Sequence, residues 1–158
     1  MSIKVMSATL GNIDASVKHL LEESAKDMNI RSLAISITAD STDQIASIYN
    51  FMKDNMKYVY DPVDNDLFIS PSYMVKQYRF ENHMEGDCDD FALLTVALAR
   101  SIGIISHVSI VDQTGKGYDH AIAELWSERH QRFIMVDPST TDVPLGWTLT
   151  YWRKYDIA

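Results

Sequence analysis

The chain carries one cysteine, Cys88, and its neighbours decide whether that thiol does chemistry. A lone cysteine is more often a small buried hydrophobe than a nucleophile. Cys88 follows Asp87, a residue suited to capping a helix. The run that follows keeps Phe91, Leu94, Leu98 and Ile102 on one side, with Gly103 as its stop. This puts the thiol in a first helical turn, where unpaired N–H groups and the helix dipole lower a thiol pKa from its usual ~8.5. Asp87, Asp89 and Asp90 oppose that effect, because like charges disfavour a thiolate. As cap and first-turn residues the same acids stabilise the helix by about 1 kcal/mol.

His120 lies near the start of one predicted strand, and Asp137 directly follows the next, before Pro138. If those strands pair, the two residues are neighbours and the carboxylate can orient the imidazole. Singly, His120 reads as a hydrogen-bonded structural histidine and Asp137 as a turn residue. Together, in the chain order Cys, His, Asp, they offer a nucleophile, a base and an orienting group. His19, His83, His107 and His130 lack such a pattern and read as surface or locally bonded groups. A metal site would draw on His83, Asp87, Asp89 and Asp90, but their spacing matches no standard calcium loop or zinc motif. No metal and no cofactor is expected.

The elements that must position these residues follow from periodicity. Val17, Leu20, Leu21, Ala25 and Met28 predict an amphipathic helix over residues 14–28. Residues 30–38 fit a strand or a helix, with a short helix preferred. Ser41 and Gln44 have the form of a capping box ahead of a helix to about Asn55. Lys57 to Tyr60 is extended; residues 61–72 read as a loop, followed by a short helix at 72–78. The Cys88 helix is apolar nearly all round, hence central. Ile104 to Asp112, Tyr118 to Trp126 and Arg132 to Val136 predict an antiparallel meander. The tail, with Trp147, Tyr151, Trp152 and Tyr155, is expected to dock on the body.

With 158 residues, 46% of them hydrophobic, the chain has material for one core and is expected to form a single domain over 1–158. Residues 1–40 form its helical N-terminal part and 41–158 its main body. A formal charge of −8 argues against a nucleic-acid partner. One cysteine excludes an internal disulfide. Phe91 to Ile105, the longest weakly charged apolar run, is interrupted by Arg100 and is shorter than the ~20 residues a bilayer needs, so no membrane association is expected. Met1 to Leu10 carries no secretory-type apolar block, and a cytoplasmic location is the expectation.

Gly86-Asp87-Cys88-Asp89-Asp90-Phe91-Ala92, then Arg100-Ser101-Ile102-Gly103-Ile104, Asp119-His120-Ala121 and Val136-Asp137-Pro138-Ser139-Thr140 resemble the transglutaminase-like superfamily in order and spacing. The resemblance covers residues 45–158, including an aromatic and Pro-containing approach from Tyr58 to Pro71. It implies a papain-like α+β fold, with the Cys helix packed on an antiparallel sheet that bears His120 and Asp137. It also implies thiol acyl chemistry on peptide or protein amides through a Cys88–His120–Asp137 triad, with hydrolysis preferred. Oxyanion donors would be the Cys88 backbone N–H and a group from Gln77 or Tyr78. Short free-standing members resemble prokaryotic and phage-encoded proteins, which leaves a virion location or a partner protein in an assembly open. Two alternatives stay open: an inert binding or structural module, and a protein-glutamine or small-amine acyltransferase.

Overall fold

A computed structural model describes residues 2–5, 10–61, 66–140 and 143–157. In chain order the elements are β1 (Ser2–Val5), α1 (Leu10–Ser24), α2 (Met28–Thr38), α3 (Gln44–Asn55), β2 (Met56–Tyr58), β3 (Asp66–Ile69) and α4 (Pro71–Glu81). Then come β4 (Met84–Gly86), α5 (Cys88–Ser101), β5 (Ser106–Asp112), β6 (His120–Ser127), β7 (Arg132–Val136) and β8 (Arg153–Ile157). The fold is α+β. α5 lies at the centre, between the four other helices and the sheet β7-β6-β5-β8. Leu93, Leu94, Val96 and Leu98 are all fully buried, which is why this helix has no polar face. No helix among the described residues is long and apolar enough to cross a membrane.

Several boundaries differ from the sequence reading, each for a local reason. The first helix ends at Ser24, because Asp27 caps a new one by accepting from the Asn29 N–H at 2.8 Å. Met28 therefore leaves the α1 stripe and is exposed. The cap of α3 is Asp43, which accepts from the Ala46 N–H at 3.0 Å, while the Ser41 hydroxyl braces Asp43 itself. The stretch read as a loop over 61–72 contains β3, antiparallel to β1. Residues 62–65 of that stretch lie outside the described residues. α4 begins earlier and runs further than 72–78, capped by Ser70, opened by Pro71 and closed by left-handed Asn82. The tail docks through the backbone of β8, yet Trp147, Tyr151, Trp152 and Tyr155 keep more than a third of their surface in solvent.

Alternation along β6 sends Ala121, Ala123 and Leu125 toward α5, and His120, Ile122, Glu124 and Trp126 to the opposite face. Register Val111↔His120 and His107↔Glu124 fixes which β5 residues share that outer face. Glu124 is buried there among three partners. It accepts from Ser109 Oγ at 2.8 Å and from Lys154 Nζ, and its carboxylate meets His107 Nε2 at 3.2 Å. Ser109 Oγ and Lys154 Nζ also reach Asp156. The network ties β8 to the sheet centre.

Burial alone would raise the Glu124 pKa, but hydrogen bonds from His107, Lys154 and Ser109 outweigh it and hold the carboxyl at about 2, from 4.5. A depressed folded-state pKa adds stability that is complete above the unfolded value and is lost as pH falls toward the folded one. That shift corresponds to ~3 kcal/mol. Acid unfolding followed by circular dichroism should therefore show wild-type stability dropping between pH 4.5 and 2 more steeply than in Glu124→Gln. Equal slopes would remove Glu124 from the account. Gly86 gives a second prediction: a Cβ there would sit 2.6 Å from Asp90 Cβ and 2.7 Å from Met56 Cε. Gly86→Ala is expected to lower stability by about 1–3 kcal/mol in urea titrations, the usual cost of overpacking.

Candidate active site

β2 and β4 pair in parallel with Tyr58 opposite Gly86, and the Val59 N–H donates to the Gly86 carbonyl at 2.8 Å. This register sets Tyr58 beside the turn that opens α5. That turn is closed by a reciprocal cap. Asp87 Oδ1 accepts from the Asp89 and Asp90 N–H groups, and Asp90 Oδ2 accepts from the Asp87 N–H at 3.1 Å. Asp90, fully buried, also takes the Ile69 N–H at 2.8 Å and so fastens β3 to the helix. Cys88 is the first helical residue and is half-buried, with its sulfur 3.9 Å from Asp89 Oδ1. Its backbone N–H faces the Tyr58 hydroxyl, and its thiol faces the Ala121 N–H.

The sheet supplies the other two groups. Pairing of β6 with β7 runs only from Ser127↔Arg132 to Ala123↔Val136. Beyond that point the chain turns at Asp137-Pro138, which leaves the Ala121 N–H directed at the thiol instead of at a strand neighbour. Asp137 keeps to the outer-face alternation of Phe133 and Met135, on the same side as His120. Asp137 Oδ2 and His120 Nε2 lie 2.7 Å apart. Asp137 is fixed in turn by Ser139 Oγ at 2.5 Å, the Ser139 N–H at 3.2 Å and Thr140 Oγ1 at 3.1 Å. Nδ1 of His120 is the ring nitrogen that Asp137 does not engage.

The electrostatics are uneven. Burial pushes the His120 pKa down, but the hydrogen bond and charge of Asp137, with Asp89 and Asp119, more than reverse this, so it lies above 6.5. Burial pushes Asp137 up, and His120, Ser139 and Thr140 bring it below its ordinary value. The Cys88 thiol is raised, first by burial and then by Asp89, with Asp87 and Asp137 adding; the Ala121 N–H pulls the other way. The opposition between helix terminus and acids thus falls on the side of a protonated thiol. Tyr58 is raised by burial and stays a neutral phenol able to donate.

Gln77 and Tyr78 lie on α4. Gln77 Oε1 accepts from the Glu85 N–H at 3.2 Å, and the Tyr78 ring meets Phe51 edge-on at 5.1 Å. Tyr58 is the side chain beside the thiol that sequence reasoning did not single out. The extended run at 57–60 was legible, but its register with residues 84–86 is a long-range pairing with no local signal. His83 is bonded to its own neighbourhood, its Nδ1 lying 3.1 Å from the Glu81 carbonyl oxygen. Asp61, Asp87 and Asp90 bring carboxylate oxygens within 4.8 Å of one another at the turn that opens α5. Burial raises Asp87 and Asp90, and Asp61 raises Asp87 further by its charge and by a side-chain hydrogen bond.

Comparison with known proteins agrees with this architecture. A candidate cysteine protease from Cytophaga hutchinsonii superposes with a TM-score of 0.56 at 16% identity, over 87% of this chain and 48% of its own. A candidate protease from Parabacteroides distasonis gives 0.60 at 13% identity, over 87% of this chain and 31% of its own. The chain thus spans less than half the length of either structure, and at these identities the likeness is one of fold. No curated protein sequence matches the chain. The sequence model of the transglutaminase-like superfamily matches residues 31–138, from α2 through the Cys88 turn and His120 to Asp137-Pro138, and the chain belongs to that superfamily.

Proposed function

We propose that this protein is a thiol enzyme that hydrolyses amide bonds in a peptide or protein substrate, with Cys88 as nucleophile, His120 as base and acid, and Asp137 as the group that orients His120. The observation that carries this reading is the 2.7 Å bond between His120 Nε2 and Asp137, whose charge, like the Ala121 N–H, reaches the thiol at the N-terminus of α5. Because the thiol rests protonated, its proton passes to His120 Nδ1 as sulfur attacks the carbonyl carbon. The carbonyl oxygen becomes an oxyanion, and the Cys88 backbone N–H and the Tyr58 hydroxyl are the donors suited to it. Collapse breaks the C–N bond, His120 gives its proton to the leaving amine, and a thioester remains. Water, deprotonated by His120, then releases the acid and restores the thiol.

A second reading, an inert binding module, draws on the same acid crowding, since a raised thiol is a poor nucleophile unless His120 takes its proton. Alkylation of Cys88 by iodoacetamide, followed by intact mass, separates the two. With one thiol in the chain, the signal is unambiguous. Wild type is expected to react at neutral pH at least about tenfold faster than His120→Ala. Equal rates, rising only at alkaline pH, would favour the module.

Two further outcomes follow for turnover of an amide substrate. Activity should rise through a pKa above 6.5, the direction in which Asp137 moves His120, and Asp137→Asn should shift that rise to lower pH while reducing kcat. An unshifted profile would separate Asp137 from His120 function. Tyr58→Phe should lower kcat by roughly 10²-fold with KM little changed, the loss typical of one oxyanion donor. A faster enzyme would mean instead that Tyr58 blocks the Cys88 N–H.

A further inference from the structure

His120 opens β6 opposite Val111, directly after the loop over 113–119 that joins β5 to β6. Asp137 is held by its own turn, through Ser139 and Thr140. The 2.7 Å contact between the two therefore depends on the start of β6, which is set by its pairing with Val111 and by the loop that leads into it. Inside, the loop is closed by two carboxylates. Asp112 Oδ1 accepts from the Thr114 and Gly115 N–H groups at 3.2 and 2.7 Å, and Asp119 Oδ1 accepts from the Gln113 N–H at 3.0 Å. Outside, its anchor is the start of β8. The Trp152 N–H donates to the Asp112 carbonyl at 2.8 Å, and Arg153 Nε donates to Asp112 Oδ2 at 3.1 Å. The Arg153 guanidinium also lies 4.8 Å over the ring of Tyr118, two residues before His120. Gly115, at φ 80°, presses so closely on the Trp152 ring that a Cβ would sit 3.3 Å from it.

We infer that Trp152 and Arg153 are positioning residues: the C-terminal strand clamps the loop before His120 and so holds the imidazole on Asp137. This rests on the proposed role of His120. Arg153 is 58% exposed, and an ion pair so placed adds little to global stability. Its partners are instead the nearly fully buried Asp112 and the Tyr118 ring, at the two ends of the loop that leads into the histidine. The clamp acts through His120 and touches no reacting atom. It makes residues at the end of the chain part of the site's geometry.

The test reads the imidazole itself, by NMR titration of His120 in the full chain, with Cys88 alkylation in parallel. Asp137, Asp89 from α5 and Asp119 from the loop are the charges that face the ring. Arg153→Met is expected to lower the His120 pKa by about half a pH unit, a roughly threefold change in protonation equilibrium. It should also slow Cys88 alkylation at neutral pH by about fivefold, and Arg153→Lys should restore most of both. Lys154→Met is the control. It loosens the same strand through Glu124, four residues along β6 from His120, and should lower the melting temperature without moving the His120 titration. If Arg153→Met does not fold, Trp152→Ala and Tyr118→Leu are read in the same way. A wild-type His120 titration in these variants, or an equal shift in Lys154→Met, overturns the clamp. A His120 shift in a protein whose alkylation ignores His120→Ala keeps the clamp and removes the enzymatic reading.

Discussion

The N-terminus of α5 is buried, and its unpaired N–H groups must find acceptors inside the protein. Asp87 and Asp90 meet that demand reciprocally, with Asp90 reaching out to the Ile69 N–H and Tyr58 facing the Cys88 N–H. Much of the site follows. β3 is fastened to the helix because Asp90 has a second acceptor oxygen to offer. Gly86 admits no side chain because the capping carboxylate lies against it. The thiol is surrounded by acids because acids are what a buried helix start recruits.

The cap and the chemistry therefore pull in opposite directions. A helix N-terminus favours a thiolate, but the residues that make the helix start stable are themselves acids, and with burial they raise the thiol. His120 resolves the conflict in the proposed mechanism: a base above 6.5 receives the proton at the moment of attack, so no standing thiolate has to survive beside Asp89. Reactivity then depends on the placement of the imidazole more than on the resting ionisation of the sulfur.

That placement is divided between two strand ends. Asp137 is set by the departure of the chain from β7 at Pro138 and by its own turn. His120 is set by the register of β6 on β5 and by a loop braced from β8. Loops carry reactive groups well when rigid elements fix both of their ends. Here the last strand of the sheet supplies one of those fixings.

Periodicity and local chemistry sufficed for the elements that announce themselves within a few residues. The central apolar helix, its Asp87 cap, the three-strand meander and the order of Cys88, His120 and Asp137 were all legible in the sequence, as was the family. The strands β1 and β3, the parallel pairing of β2 with β4, and the place of Tyr58 were not, because each rests on a partner distant in the chain. The break at Asp27 lay hidden because the apolar stripe of α1 runs on in phase to Met28, and stripe alone does not show where hydrogen bonding restarts. The tail was read as docking through its aromatic side chains; it docks through its backbone, because β5 had a free edge for β8 to fill. The amino-acid sequence by itself determined which groups could do chemistry. Only the tertiary structure decided which of them meet, since hydrogen-bond register and buried charge arise from contacts between segments far apart in the chain.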